Sequence, residues 1–513
     1  MTAAGSRPVR LGALAEAFSL TPHEPPAGWS EIAVTGVRAD NRRIRPGDLF
    51  AGHAGAHVHG ARFAPAAVRS GASAVLTDPE GLAELTSSGG TGVPVLLADD
   101  VPALLGRIAA QVYGRPAEAM RTFAVTGTNG KTTTTYMLEH ALAALGRTTG
   151  LIGTVEVRVA GRSEPAVLTT PQPADLQALL ADMVGAGVSD LAMEVSSHAL
   201  GLGRVDPVVF DVAGFTNLTQ DHLDYHGTLE DYFAAKASLF NPDRSRCAVV
   251  LVDDEWGRRL AGQCARDSGE LITVSTTGVP ADWQAGEITA DGAFTLTHRD
   301  GERLRTRTGL PGTFNVANAA LAAVMLLASG VPTAELASAL AGADGMTPVV
   351  PGRMEQLAET PRVVVDFAHN PGALAEAIAA LRPSTTGRLV LVVGATGSRD
   401  TGKRPEMARV AVDSADAVII TDDDPHDEPA AGIRAELLAA ARAHAPYADV
   451  REVGDRAEAI RLAVAEAGPR DTVLVAGRGH ETIQEIAGVE HHLDDREEVR
   501  GALADRAGGG GRS

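Results

Sequence analysis

The chain has 513 residues, 44% of them hydrophobic, and carries 45 Lys+Arg against 65 Asp+Glu for a formal net charge of −20. That apolar fraction excludes a disordered or collagen-like chain, and the acidity excludes a general nucleic-acid or anionic-membrane surface, since both need a net basic footprint. The length predicts about two to four domains. Only Lys131, Lys236 and Lys403 supply a primary amine; every other basic residue is arginine. In so Arg-rich a chain, these three mark positions where an amine is chemically special. Cys247 and Cys264 form no CxxC pair, so neither a zinc site nor a disulfide framework is expected. The N-terminus, MTAAGSRPVRLGALAEAFSL, lacks a signal-peptide core, and no long apolar run appears. A cytoplasmic, soluble protein is the expectation.

In chain order, short β-branched runs alternate with Ala/Leu-rich amphipathic stretches, the α/β signature. Strands are predicted at 122–126, 248–252, 363–366, 389–393, 417–421 and 472–476, and helices at 132–145, 315–328, 373–381 and 457–467. Gly114-Arg115-Pro116 and the Pro/Gly stretch from Gly345 to Gly352 suggest boundaries. Three domains follow, over 1–115, 116–345 and 346–506, with 507–513 a disordered tail.

The predicted strand ending at Thr126 runs into Gly127-Thr128-Asn129-Gly130-Lys131-Thr132-Thr133 and then a helix. This order suits a loop whose N–H groups and helix N-terminus cradle phosphates. Lys131 would reach the β/γ-phosphates, and the Thr132 hydroxyl would ligate Mg²⁺. The spacing departs from GxxxxGK[ST], because Val125 stands where the first glycine belongs. A nucleotide site is expected here. What the nucleotide drives is not fixed by the loop.

Downstream lie Glu194-Val-Ser196-Ser-His198, then Asp221-His222-Leu-Asp224, then Lys236. Glutamate oxygen and imidazole nitrogen near a triphosphate suit Mg²⁺; Asp221, His222 and Asp224 suit a helix cap equally well. Lys236 lies at helical spacing from Phe233 and Phe240 in an apolar segment. A buried amine can react with CO₂ to form a carbamate, an oxygen ligand that arginine cannot provide.

The set GTNGKTT, EVSSHAL, TNLTQDHLDYHGTLEDYFAAK, LPGTFNVANA, PGRME, DFAHNP, GSRDTGKRP and AGRGHE resembles the Mur ligase family. It is most similar to the members that add a diamino acid to UDP-N-acetylmuramoyl-L-alanyl-D-glutamate. The resemblance is colinear from about Val34 to about Leu503. It implies an N-terminal UDP-binding α/β domain, a central P-loop ATPase domain with a mostly parallel sheet and a C-terminal Rossmann-like domain that binds the amino acid.

The resemblance further implies that Ala39, Asn41, Ala56, His57 and Val58 contact the uridine nucleotide. Asp40-Asn41-Arg42 stands where the family usually has Asp-Ser-Arg. Glu194, His222 and carbamylated Lys236 would hold two Mg²⁺ ions with Thr132. Thr169, Thr170, Ser196 and Arg204 would grip the muramoyl peptide, with Leu202 replacing a frequent glutamine. Asn315 and Asn318 fall in the stretch lining the adenine pocket, although both also suit a helix N-terminus. Arg353, Asp366, His369 and Arg399 lie in loops after strands, where α/β ligand sites are expected. Arg399 would hold the incoming amino acid's carboxylate, and Gly477 and Glu481 its far end. Lys403 sits beside that site.

Members that use meso-diaminopimelate typically read Asp-Asn-Pro-Arg where this chain has Asp423-Asp424-Pro425-His426. An extra carboxylate and a shorter, pH-sensitive ring weaken the fit of a carboxylate-bearing side chain and point towards a more cationic one such as lysine or ornithine, while Arg399 and Glu481 keep diaminopimelate, meso or LL, open as a substrate. The implied reaction is acyl activation. The D-Glu γ-carboxylate takes the ATP γ-phosphate, and the incoming amine displaces phosphate, with His198 a candidate proton acceptor. Its substrates would be UDP-N-acetylmuramoyl-dipeptide, ATP and a diamino acid; no nucleic-acid or membrane partner is implied, and the monomer is the expected state. A paralogue ligating another amino acid, a folylpolyglutamate-type ligase and a non-catalytic ATP-binding scaffold are alternatives. The uridine stretch argues against the folyl type, and intact Lys131, Thr132, Glu194, His222 and Lys236 argue against the scaffold.

Overall fold

Strands that read as unbroken apolar runs must be covered on both faces, and parallel sheets flanked by helices do this. The computed structural model describes residues 8–509 apart from Ala56, Ser88, Ser268 and Arg399. The predicted strands and helices form within three residues of their expected limits. Two compact units arise, and the expected central segment contributes to both. Among the described residues no helix is long and apolar enough to cross a membrane.

One unit comprises Met1–Thr126, Gly146–Ala213 and Ala235–Ala248. Its five-stranded sheet runs in the order Thr21–His23, Val95–Leu97, Ala74–Thr77, Asp48–Ala51, Gly36–Arg38. All pairings are parallel except that of the edge strand Thr21–His23. Helices Leu11–Ala17 and Val101–Val112 cover one face through Leu11, Leu14, Leu105 and Ile108, while Ala64, Ala67 and Leu85 pack beneath Phe50 and Val75 on the other. The same unit holds parallel strands Arg121–Thr126, Asp190–Glu194 and Thr149–Ile152, extended by the hairpin Glu156–Val159 and Arg162–Pro165. Helix Val101–Val112 approaches this region closely at Gly106, where a Cβ would stand 2.9 Å from Pro207.

The other unit comprises Gly127–Leu145, Gly214–Ala234 and Val249–Ser513. Helix Lys131–Ala144 packs on helix Thr313–Ala328, which is apolar all round and accordingly buried from Ala319 to Leu326. A six-stranded sheet runs Glu355–Glu359, Arg362–Asp366, Thr472–Ala476, Leu389–Val393, Ala417–Ile420, Val450–Glu452, parallel except for the first strand. Helices Pro371–Leu381, Arg404–Ser414 and Ala430–His444 cover one face, and Arg456–Glu466 and Asp495–Gly509 the other. The chain reaches its last parallel strand, Thr472–Ala476, only after winding outward, and inserts it between two earlier ones. Such a reversal leaves a crevice at the carboxyl ends of the strands. The final helix continues through Gly509, three residues into the stretch expected to be a disordered tail; residues 510–513 lie outside those described.

Candidate active site

The phosphate loop is built as its spacing implies. Gly130 caps helix Lys131–Ala144 with φ +88°, and a Cβ there would stand 2.4 Å from Asn318 Oδ1. Glycine satisfies both demands. Lys131 folds over the loop, its Nζ donating to the carbonyls of Gly127 at 2.9 Å and Thr128 at 2.8 Å. The segment Thr216–Thr219, whose motif carried no assigned role, zips onto the loop. Asn217 O accepts from Thr128 N at 2.9 Å, Asn217 Oδ1 from Asn129 N at 3.0 Å, and Thr216 Oγ1 donates to Asn129 O at 2.6 Å. Thr128 Oγ1 donates towards the Tyr232 hydroxyl at 3.3 Å, and burial pushes that phenol's pKa up. Thr132 and Thr133 are buried at the helix start, and Arg353, stacked 4.1 Å over the Phe367 ring, donates to Thr132 Oγ1 at 3.4 Å.

Asn315 and Asn318 do not cap their helix. Gly312 holds the N-cap position. Asn315 Nδ2 donates to Pro311 O at 2.7 Å, and Asn318 Nδ2 to Asn315 Oδ1 at 3.2 Å. The capping alternative for Asp221 and His222 fails similarly: His222 sits at the N-cap of Leu223–His226 in the left-handed region, φ +53°, without a side-chain cap bond. Asp221 instead faces His369, whose Nε2 stands 3.6 Å from Asp221 Oδ2 while Nδ1 meets Phe367 O at 2.9 Å. Burial alone would raise the Asp221 pKa, but the His369 hydrogen bond and the charges of His369, His222 and Lys403 outweigh it and hold the carboxyl far below the usual range. Lys403 is buried at the start of helix Arg404–Ser414.

In the other unit Glu194 ends a strand, fully buried. Its Oε1 accepts from Thr154 N at 2.8 Å and its Oε2 from Thr154 Oγ1 at 3.1 Å. Gly153 leaves the carboxylate room, since a Cβ there would stand 2.5 Å from Oε1. Thr154 was not singled out from sequence; its signal is the Gly-Thr pair directly after strand Thr149–Ile152. A carboxylate oriented by hydrogen bonds suits a hard divalent cation. Lys236, in helix Leu229–Ala237, is 1% exposed, an enclosed amine as a carbamate requires.

Thr170 meets the strand end at Glu194. Its side chain is wholly buried, the hydroxyl donating to Glu194 O at 3.0 Å and accepting from Ser196 N at 3.2 Å. It braces the strand end. Arg204 Nη1 donates to Thr170 O at 3.0 Å, Ser196 Oγ accepts from Ala199 N at 3.2 Å as an N-cap, and Thr169 Oγ1 meets Thr154 Oγ1 at 3.1 Å. His198 is half-buried in the short helix Ser197–Gly201. Ala39, His57 and Val58 are exposed, Asn41 is half-buried in a turn capped by Asp40, and Ala56 lies outside the described residues. That loop is fixed by His59, which sequence reading missed: Nδ1 accepts from Ala61 N, so Nε2 donates to Asp78 at 3.1 Å.

At the strand ends of the six-stranded sheet, Asp423, Asp424 and Glu481 each offer an oxygen within 4.8 Å of the others. Gly477, at φ +119°, makes room for Asp423, whose Oδ2 a Cβ would approach to 2.5 Å. Burial first, then Asp423 and Asp424, push the Glu481 carboxyl up to about 8, against the opposing charges of Arg478 and Arg353. Asp366 is raised by burial, opposed by Arg353 and by bonds from Met354 N and Ala368 N. Pro425 O lies against Gly397, and His426 Nδ1 stands 3.2 Å from Glu485 Oε2. Arg399 lies outside the described residues.

Three family models match successive stretches of the chain: the Mur ligase family catalytic domain over residues 33–113, the Mur ligase middle domain over 125–326 and the Mur ligase glutamate ligase domain over 352–479. The chain belongs to the Mur ligase family. It is 45% identical to the UDP-N-acetylmuramoyl-L-alanyl-D-glutamate–2,6-diaminopimelate ligase of Streptomyces coelicolor, covering 97% of this chain and 98% of that one. The enzyme of that name from Corynebacterium glutamicum is also 45% identical, over 94% of each chain. A solved structure of a UDP-N-acetylmuramoyl-L-alanyl-D-glutamate–2,6-diaminopimelate ligase matches with a TM-score of 0.64 at 30% identity, covering 98% of this chain and 100% of that one. The three-domain α/β architecture expected for a Mur ligase is therefore present, and the protein is a ligase.

Proposed function

We propose that this Mur ligase adds the third amino acid, a diamino acid of the diaminopimelate or lysine type, to the D-Glu of UDP-N-acetylmuramoyl-L-alanyl-D-glutamate in cytoplasmic peptidoglycan precursor synthesis. The observation that carries the reading is similarity to diaminopimelate ligases over essentially the whole length of both chains. We place its domain limits near 115 and 345.

The chemistry follows from the loop and the strand ends. Backbone N–H groups of Gly127–Thr133 and the ammonium of Lys131 bind the ATP phosphates, and Lys131 draws charge from the γ-phosphate as it transfers. The γ-carboxylate of D-Glu attacks that phosphorus, releasing ADP and leaving an acyl phosphate. Thr132, Glu194, His222 and carbamylated Lys236 would hold two Mg²⁺ ions, which neutralise crowded phosphate and carboxylate charge. Ser196 and Arg204 orient the muramoyl peptide. The amine, relieved of a proton by His198, attacks the activated carbonyl, and phosphate leaves from the tetrahedral intermediate.

The test is ADP release by the purified full chain with UDP-N-acetylmuramoyl-L-alanyl-D-glutamate and a panel of diaminopimelate isomers, lysine and ornithine. Release that requires both the nucleotide dipeptide and one diamino acid is expected. Release that no member of the panel stimulates overturns the reading.

A further inference from the structure

Helix Pro173–Gly185 packs between the five-stranded sheet and strand Thr149–Ile152, all within one unit. Ala174, Ala178 and Ala181, spaced along a single helical face, enter the core of the five-stranded sheet beside Val37, Leu105 and Ile108. Met183 lies on the strand, where a Cβ at Gly150 would stand 2.9 Å from its sulfur. The helix therefore ties the N-terminal sheet to the strands that lead to Glu194.

Polar groups extend this link to two loops. Asp175, in the first turn of the helix, takes two arginines on one oxygen: Oδ1 accepts from Arg43 Nη1 at 2.9 Å and from Arg38 Nη1 at 3.3 Å. Arg43 closes the turn Asn41–Arg43, which Asp40 caps by accepting from Arg42 N at 3.0 Å. Arg38 ends strand Gly36–Arg38 and is buried. Its Nε has no hydrogen-bond partner and stands 3.8 Å from Asp48 Oδ2, so its guanidinium bonds to Asp175 and not to Asp48. Just ahead of the helix, Thr170 is tied to Glu194 O and to Arg204 Nη1, and only Pro171 and Gln172 separate it from Pro173. One carboxylate thus joins the turn at Asn41 to the loop that carries Thr169 and Thr170.

Stability does not account for this bridge. The alanine face already seats the helix in the core. The Asp175 side chain is 33% exposed and that of Arg43 57%, and ion pairs so open to water contribute little to stability. What charge-assisted bonds from two segments supply is geometry. A ligand that touches two sites gains affinity over its fragments only when the sites are held at the spacing the ligand spans. We propose that Asp175, bridged to Arg43 and Arg38, is a positioning residue that sets the span between the uridine end and the peptide end of the UDP-N-acetylmuramoyl-dipeptide site. This rests on the ligase reading above, in which the turn at Asn41 meets the uridine while Thr169, Ser196 and Arg204 meet the muramoyl peptide.

Calorimetric titration of the full chain with UDP alone and with UDP-N-acetylmuramoyl-L-alanyl-D-glutamate tests the bridge, because only the second ligand reaches both ends. Asp175→Asn should weaken binding of the nucleotide dipeptide, and raise its KM in ADP release, by about tenfold or more. It should leave Kd for UDP, KM for ATP and Tm unchanged. Arg43→Gln, at a side chain open to solvent, makes the same comparison without altering the helix, and should again weaken the nucleotide dipeptide and not UDP. Equal weakening of both ligands makes Asp175 a local support of the uridine turn and overturns the inference, as does binding of both at wild-type strength. Either failure, with ADP release intact in the wild type, leaves the ligase reading standing. A wild type that binds the nucleotide dipeptide no better than UDP overturns both.

Discussion

Glu194 gives both carboxylate oxygens to a single residue, Thr154, one to its backbone N–H at 2.8 Å and the other to its hydroxyl at 3.1 Å. The arrangement fixes the plane of the carboxylate. Residues that orient a metal ligand typically contribute about 10–100-fold to metal affinity or activity. Thr154→Val keeps the shape and the backbone bond but removes the hydroxyl donor. It should raise the Mg²⁺ concentration for half-maximal ADP release by about tenfold or more, with little change in KM for the diamino acid. A Mg²⁺ titration of wild type and variant checks this.

Lys236 carries a different prediction, because its value lies in what the amine becomes. Enclosed at 1% exposure, a carbamate there would present oxygens where an ammonium presents hydrogens. Lys236→Ala should abolish ligase activity, and a high concentration of a short carboxylate such as acetate should restore a measurable fraction. Lys236→Arg should be inactive and resist rescue, since the guanidinium fills the space. If neither bicarbonate nor short carboxylates restore any activity to the alanine variant, the carbamate is excluded.

Much of the candidate site was legible because its signals are local. A strand, a Gly-Lys-Thr turn and a helix are consecutive in the chain, so Lys131 and Thr132 follow from reading order. Glu194 and Lys236 were found through motif resemblance, but their surroundings were not. Thr154, Thr216, Asn217 and Thr219 act through contacts between segments far apart in sequence, and each is an ordinary loop residue until the fold places it. The alternative reading of Asn315 and Asp221 as helix caps fails because other partners claim those side chains: Pro311 O, four residues back, for one and the distant His369 for the other. The departure at Asp424 and His426 was visible in sequence, yet their partners, Arg478 for Asp424 and Glu485 for His426, needed the structure.

Glu481 predicts a pH dependence. Its carboxyl is raised from 4.5 to about 8 by burial first, then by Asp423 and Asp424. Between those values the folded protein holds a proton that the unfolded chain has released, so the group's contribution to stability is full below about 4.5 and is lost as pH rises through about 8. Glu481→Gln, a neutral mimic, should match the wild-type Tm near pH 4.5 and exceed it at pH 9. On the reading that Glu481 meets the far end of the incoming diamino acid, the added negative charge should lower KM for a substrate with a distal ammonium as pH climbs from 7 to 9. A flat Tm difference across this range would place the Glu481 carboxyl in its ordinary range.

Gly130 offers the sharpest structural test of the phosphate loop. Its φ of +88° disfavours any L side chain, and a Cβ would meet Asn318 Oδ1 at 2.4 Å. The left-handed conformation alone costs a non-glycine residue about 1–2 kcal/mol, and displacing Asn318 also breaks its bond to Asn315. Gly130→Ala should therefore lower Tm and raise KM for ATP together. Adding Asn318→Ala relieves the contact but not the backbone strain. If the two positions are coupled as the geometry requires, the double variant should bind ATP no worse than Gly130→Ala alone, whereas independent sites would add their losses. Thermal denaturation and ATP-dependent ADP release on the four proteins of this cycle decide between coupling and independence.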